Sequence, residues 1–226
     1  MSDPFISTFP LKELIIDGTL VCYEDSIEPL LAFFSKSKAE EFVHLLHEAQ
    51  IHPKKAYREA LLWKETYPLN PPLDNLLAFL HLQNNEKIKA ETLISESYKN
   101  YPDYFFAKIN YADQCLRKKK LKEIPSIFPS FDLSTLFPQK KCFHVSEFRG
   151  FMILLCRYYY RMKNKELTKK TYQNAYLADP SHLSLIQLEK EIFPQKIFYK
   201  CWILFLKFFK LCYAPFRKEK AKGIPN

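Results

Sequence analysis

Two segments of the chain repeat each other at a distance of 34 residues. The matching pairs are Lys55 and Lys89, Ala56 and Ala90, Tyr67 and Tyr101, and Pro68 and Pro102. Each segment has the apolar spacing of an amphipathic helix and ends at a Tyr-Pro step, where a helix seldom continues. A helical unit that recurs at this distance predicts helical hairpins stacked one upon another.

The chain has only three glycines among its 226 residues. Phosphate-binding loops, dinucleotide-binding turns and nucleophile elbows all need glycine where the backbone is strained or closely approached. None of these motifs can be assembled here. Apolar residues make up 47% of the chain, which is ample for a packed core. The composition therefore predicts a helical, non-enzymatic protein without a cofactor.

Apolar periodicity predicts antiparallel helix pairs that break at His52-Pro53 and at Asn84-Asn85, with Ser146 as the cap of a later helix. Residues 125–148 contain prolines and no clear period, which predicts an irregular insertion. Near the N-terminus, Asp17-Gly18 either turns a β-hairpin or breaks a helix, and both readings stay open.

Further positions of the period resemble the tetratricopeptide repeat superfamily. With proline at position 32, the repeats begin at residues 37, 71, 105 and 149. Ala90 then occupies a small-residue position, and Tyr172, Ala175 and Pro180 follow the tail pattern of the family. His44 departs from the pattern, because a small residue belongs there, and about ten extra residues lie between Pro102 and Pro180.

The resemblance implies an all-α fold, a right-handed array of antiparallel helical hairpins. Residues 1–36 would form an N-terminal segment with a capping helix, 37–193 the repeats with the insertion near 125–148, and 194–226 a basic amphipathic C-terminal helix and tail.

In such an array, the first helices of the hairpins line a concave groove that binds a peptide. The groove positions of the family fall here on Asn75, Phe79, Leu82, Ile109, Asp113, Arg117, Ile153, Arg157, Tyr160 and Arg161. Aromatic, aliphatic and arginine side chains together suit a peptide with apolar anchors and some acidic character. Glu41 and Leu45 stand where the chaperone-tail clamp of the family has Lys and Asn, which disfavours chaperone C-termini as ligands.

The segment 194–226 carries eight Lys/Arg against one Asp/Glu, whereas residues 1–50 carry three against nine. On a helical projection, Lys200, Lys207 and Lys210 form a stripe opposite a wide apolar arc that contains Trp202, Phe205, Phe209 and Tyr213. This pattern predicts a helix that lies on an anionic membrane surface without spanning it. The alternatives are that the helix folds back on the repeats or pairs with a second copy.

The six cysteines are scattered and form no Cys-x-x-Cys pair. This spacing argues against a zinc site and a disulfide framework, and it predicts a reduced, cytoplasmic protein, peripheral at a membrane if the C-terminal helix binds one. Glu41, His44, His47 and Glu48 lie on one helix, but no second helix with matching ligands accompanies them, so no metal is expected.

These patterns together predict a non-enzymatic protein-interaction module, an adaptor or chaperone-like protein whose partner is another protein or a peptide. One alternative is a peripheral membrane protein whose repeats are a display scaffold. Another is a chaperone of bacterial type III secretion, a class similar in size and in number of repeats. Nucleic-acid binding through Arg117 to Lys122 is disfavoured, because no recognition motif accompanies these residues.

Overall fold

A computed structural model describes residues 12–24 and 26–193 of the chain. The chain divides into two units, Met1–Asp179 and Pro180–Asn226. The described residues are mostly helical, with a small three-stranded sheet in the first unit. The helices of the first unit are α1 (Lys36–Ile51), α2 (Pro53–Thr66), α3 (Pro71–Gln83), α4 (Lys87–Asn100), α5 (Phe105–Arg117), α6 (Ile124–Ile127), α7 (Leu133–Leu136), α8 (Val145–Arg161) and α9 (Lys165–Ala178). In the second unit, α10 spans Leu183–Ile192.

The mostly helical fold agrees broadly with the expected all-α class, and a small sheet accompanies the helices. Strands β1 (Glu13–Ile16) and β2 (Thr19–Cys22) form an antiparallel hairpin, and β3 (Phe143–His144) pairs with β2 in parallel. Asp17 and Gly18 at the hairpin tip have φ of 50° and 80°, the left-handed conformation that a tight two-residue turn needs. Of the two readings that the sequence leaves open, the hairpin is therefore the correct one.

The hairpin packs against α9. The ammonium of Lys170 lies 2.8 Å from the carboxylate of Asp17, and the Tyr23 hydroxyl donates to the Ala178 carbonyl at 2.8 Å. The segment that follows forms a 3-10 turn at Glu28–Leu30 in place of the longer capping helix expected there. Few residues lie between this turn and α1, and so short a segment gains little from helix formation.

Cys22 at the end of β2 and Cys142 just before β3 form a disulfide, with Cα atoms 6.2 Å apart. The prediction of no disulfide is wrong for this pair. The two residues are 120 positions apart in sequence and meet only because β3 pairs with β2. Cys115 and Cys156 are buried and take part in no disulfide.

Successive long helices run antiparallel. The start of α1 meets the end of α2, where the rings of Phe34 and Trp63 are 5.6 Å apart. The end of α4 stacks on α5 through Tyr98 and Tyr111, whose ring centroids are 4.4 Å apart. Between α1, α2 and α3 lies a core of buried apolar side chains that includes Phe42, Leu45, Ala56, Ala60, Leu73 and Leu77.

The same turn follows α3, α5 and α8. Its central residues, Asn85, Lys119 and Lys163, have φ of 61°, 60° and 60°. In each turn the amide of the residue after the central one donates a hydrogen bond to the carbonyl five residues before it. The donor and acceptor pairs are Glu86 and His81 (2.8 Å), Lys120 and Cys115 (2.8 Å), and Asn164 and Tyr159 (2.9 Å). This is a Schellman turn, which satisfies carbonyls at a helix end. The central residues are 34 and 44 positions apart, and these two spacings add to the 78 positions between Pro102 and Pro180.

The second helices also recur. Helices α2, α4 and α9 have 14 residues each, and each is followed by one residue and then a proline. The residue before the proline is Tyr67, Tyr101 or Asp179. Its backbone lies outside the helical region, because the proline ring clashes with a helical conformation.

Two places depart from this recurrence. Only His52 separates α1 from α2, and its φ of −128° excludes the left-handed turn seen at the other pairs. After α5, residues 118–144 form a 3-10 turn at Leu121–Glu123, the short helices α6 and α7, and β3 in place of a long second helix. Phe128 is buried there, 5.1 Å from the ring of Phe151 on α8.

The cap of α8 is His144, two residues before the expected Ser146. Its ring Nδ1 accepts from the amide of Ser146 at 3.4 Å, and the Glu147 carboxylate accepts from the amide of His144 at 3.0 Å. Ser146 is already within the first turn, and its hydroxyl lies 2.7 Å from the same ring nitrogen.

Candidate interaction surface

Helices α3, α5 and α8 lie side by side and point in the same direction. The side-chain amide of Asn110 on α5 donates to that of Asn75 on α3 at 2.7 Å. Along α5, Phe105 lies 5.8 Å from the Phe151 ring of α8, and Asp113 accepts from Arg157 at 3.2 Å. Contacts that advance together along both helices show that α5 and α8 are parallel.

Equivalent residues of the three helices stand at one level. Phe79, Asp113 and Arg157 each lie six residues before the left-handed residue of the following turn. Leu82 and Tyr160 each lie three residues before it, one turn nearer the helix end. We call the surface that carries these residues the first-helix face. Its members are Asn75, Phe79, Leu82, Asp113, Arg117, Arg157, Tyr160 and Arg161.

Large apolar side chains are exposed on the outer helices of this face. Phe79 and Leu82 on α3 are 41% and 45% exposed, and Tyr160 on α8 is 42% exposed. Large apolar groups left in water are characteristic of a surface that binds a partner. The exposed side chain of Arg161 lies beside Tyr160 in sequence.

Two predicted groove residues lie beneath the surface instead. Ile109 and Ile153 are 7% and 6% exposed. Gly150 of α8 lies over Ile109, and a Cβ placed on it would make ordinary van der Waals contact with Cδ1 of Ile109 at 3.7 Å. Ile109 therefore packs between helices and is not available to a peptide.

An ion-pair network occupies the middle of the first-helix face. The Asp113 carboxylate contacts the guanidinium of Arg117 on its own helix and that of Arg157 on α8. Two guanidinium groups contact this one carboxylate. Partly exposed pairs contribute little stability, so an arginine can turn to a ligand carboxylate at small cost. The sequence pattern misses Asn110, which lies next to the predicted groove residue Ile109. Its hydrogen bond to Asn75 joins α5 to α3.

A shallow depression of about 190 Å³ lies beside the face, between α3, α4 and α5. Its lining residues are Asp74, Asn75, Ala78, Ile94, Ser97, Ala107 and Asn110. That volume includes open solvent, and the depression has no room to enclose even a water-sized sphere, so it is not a small-molecule site. Asp74 is buried, and burial raises its pKa although the Lys64 ammonium opposes the effect. The contact with Lys64 joins α2 to α3 and has a structural role.

A second polar cluster joins α2, α3 and the turn before α4. Glu86 accepts from the Tyr57 hydroxyl at 2.8 Å and pairs with Lys89 at 2.9 Å, and its other contact is His81 Nδ1 at 2.6 Å. The hydrogen bonds from Lys89, Tyr57 and His81 lower the pKa of Glu86 to about 2. The cluster fixes the turn beside the first-helix face.

Within residues 12–24 and 26–193, no group of three or more His, Cys, Asp or Glu side chains is arranged to hold a metal ion. In the same residues, no helix combines the length and the apolar character needed to cross a bilayer. The predicted membrane-facing residues Lys200, Trp202, Phe205, Lys207, Phe209, Lys210 and Tyr213 lie outside the described part of the chain.

No protein-family profile, curated protein or solved structure matches the chain. Its similarity to tetratricopeptide repeats consists of the residue pattern at the 34-residue spacing. The turns at Asn85 and Lys119 are also 34 residues apart, whereas the turn at Lys163 follows 44 residues after Lys119.

Proposed function

We propose that residues 37–179 are a tetratricopeptide-like array and act as a non-enzymatic protein-interaction module. The recurrent turns and the recurrent ends of α2, α4 and α9 support this proposal. The small residues that the repeat pattern places between helices also support it, since Ala56, Ala90 and Ala175 are all 0% exposed. Small side chains at these positions let neighbouring helices pack closely.

The observation that carries the proposal is the row formed by Phe79, Asp113 and Arg157 on three parallel helices. Packed helices lie roughly 8–10 Å apart, so the outer helices α3 and α8 are separated by about 20 Å. An extended peptide rises about 3.3 Å per residue, so about six residues would cross the face. The proposed ligand is a short extended segment of another protein.

The chemistry of the face defines that segment further. Phe79 and Leu82 on one side, and Tyr160 on the other, provide apolar contacts for two anchor side chains. Arg117 and Arg157 in the middle favour a carboxylate between the anchors. We therefore expect an apolar-acidic-apolar peptide.

The proposed location is the cytoplasm, with membrane association through the basic segment 194–226 as a further part of the proposal. Disulfides are rare in the reducing cytosol, so the bond between Cys22 and Cys142 counts against this part of the proposal. The redox state of Cys22 and Cys142 in cells therefore tests the location, and a permanently oxidised pair would contradict it.

A displayed library of random peptides, selected on the full-length protein, tests the function. Selected peptides should share the apolar-acidic-apolar pattern. Phe79→Ala or Arg157→Glu should weaken their binding at least tenfold, as expected for central contact residues, without changing the circular dichroism. Phe79→Ala should keep the melting temperature of the wild type, whereas Arg157→Glu should lower it slightly because the contact with Asp113 is lost. Matched controls are Leu62→Ala and Arg58→Glu, exposed residues of α2 away from the face. Equal binding to all four variants would exclude the first-helix face as the ligand site.

A further inference from the structure

The three Schellman turns lie along one edge of the first unit. Helices α3, α5 and α8 are parallel neighbours, so their C-terminal ends meet the solvent on the same side. Neighbouring turns are roughly 10 Å apart, the distance between packed helices. We call this row the turn edge. It comprises Lys87, Ile88 and Lys89, then Lys118 to Lys122, then Arg161, Met162, Lys163 and Lys165.

Each turn presents an apolar side chain between two basic ones. The triplets are Lys87-Ile88-Lys89, Lys120-Leu121-Lys122 and Arg161-Met162-Lys163. Ile88 is 84% exposed, the highest value among the exposed large apolar residues of the described chain, and Met162 is 53% exposed. Leu121 is half-buried.

Part of the positive charge of the turn edge is not neutralised. Carboxylates pair with Lys89, Lys118 and Lys120 at 2.9, 3.2 and 2.9 Å. Lys119, Lys122 and Lys163 are exposed and form no ion pair with any described residue. Lys119 and Lys163 also hold the left-handed backbone conformation, which glycine or asparagine adopts at lower cost. Lysine is thus present at these tips although the backbone favours other residues.

We propose that the turn edge docks onto an anionic lipid bilayer. Lysines along the row would face the lipid headgroups, each contributing favourable attraction near a negatively charged surface. Ile88 and Met162 would enter the boundary between headgroups and acyl chains, where amphipathic surfaces bury apolar side chains. Three turns that lie at one level can all contact the flat surface of a bilayer at the same time.

Nucleic acid fits the turn edge less well. Single strands bind where aromatic side chains stack on bases, and the apolar residues of these tips are aliphatic or methionine. Docking through the turn edge would leave the first-helix face accessible to its peptide. The turn edge adjoins the first-helix face and shares Arg161 with it, and it does not include residues 194–226.

The test uses the full-length protein and sedimentation with vesicles of phosphatidylcholine alone, or of phosphatidylcholine mixed with phosphatidylserine. The variant Lys119→Glu/Lys122→Glu/Lys163→Glu should lower the partition constant on the mixed vesicles at least about tenfold, from the loss of three attractive charges. The control, Lys36→Glu/Lys99→Glu/Lys141→Glu, makes the same charge change at the start of α1, the end of α4 and just before β3, on the opposite edge. It should change the constant about twofold at most.

A second measurement separates insertion of the turn edge from binding through residues 194–226. Brominated acyl chains should quench the fluorescence of Met162→Trp beyond that of the wild type. Asn100→Trp, at the far end of α4, should show no added quenching.

Three results would overturn the proposal. They are a wild type that binds neither vesicle, equal effects of the two triple variants, and a tryptophan at 162 that lipid does not quench. A single-stranded oligonucleotide that binds the wild type but not the turn-edge variant, without vesicle binding, would identify the row as a nucleic-acid surface. Peptide binding by the turn-edge variant should stay unchanged, so the two proposals can fail separately.

Discussion

The carboxylate of Asp113 on α5 accepts a hydrogen bond from the guanidinium of Arg157 on α8 at 3.2 Å. Each residue lies six positions before the left-handed residue of the next turn, although 44 positions separate them in sequence. Residues 118–144 lie between α5 and α8, yet the two helices stay in register. The extra residues of this repeat are therefore accommodated outside the row of first helices.

We expect Asp113 and Arg157 to be coupled in a double-mutant cycle. With Asp113→Asn and Arg157→Gln, the coupling in urea unfolding should be about 0.5–1 kcal/mol, because both side chains are about one-quarter exposed and the pair is partly screened. Lys120 and Glu123, a more exposed pair, provide the comparison and should give a smaller coupling. Strictly additive effects at Asp113 and Arg157 would mean that the contact does not join the helices in solution.

Ala56 and Ala90 should respond alike to enlargement. Both are 0% exposed at equivalent places on α2 and α4, so Ala56→Leu and Ala90→Leu should each destabilise the protein by about 1–3 kcal/mol through overpacking. Thr92→Leu, at an exposed position of α4, is the control and should change the free energy of unfolding little. A neutral Ala90→Leu would contradict the repeat register.

Glu86 should make stability sensitive to acid. Its pKa falls from 4.5 to about 2 on folding, so its contribution is fully present above about pH 4.5 and is lost as the pH falls through about 2. Glu86→Gln should lower the melting temperature at neutral pH and flatten its fall in acid. Glu65→Gln, an exposed residue of α2, serves as the control. An unchanged acid profile in Glu86→Gln would show that the cluster around Tyr57 does not hold this carboxylate.

The disulfide should stabilise the first unit when it is oxidised. Because it closes a loop with a sequence separation of 120, Cys142→Ser should cost about 2–4 kcal/mol in non-reducing urea unfolding. A reducing agent should destabilise the wild type by a similar amount and leave Cys142→Ser unchanged. If the reducing agent acts equally on both proteins, Cys22 and Cys142 are not bonded.

Cys115 should resist alkylation in the folded protein. Burial and the contact with Glu123 raise the pKa of this thiol to about 11, so it stays protonated at neutral pH. Mass spectrometry after iodoacetamide treatment should find Cys115 unmodified until denaturant is added. Rapid modification under native conditions would show that α5 opens locally.

Much of the candidate surface could be predicted from sequence, because its residues follow from helix periodicity. Phe79, Leu82, Tyr160 and Arg161 are exposed where the repeat frame places them. Ile109 and Ile153 are the exceptions, since their burial depends on how the neighbouring helices pack against them. No local pattern reports that packing.

Local sequence decided where the second helices end. A proline after Tyr67, Tyr101 or Asp179 stops each of them by a steric clash between neighbouring residues, and such clashes act in any fold. Tertiary contacts decided the rest. The pairing of β2 with β3 and the meeting of Cys22 with Cys142 join segments more than a hundred positions apart. Periodicity describes one segment at a time, whereas these contacts depend on how the helices between the segments pack.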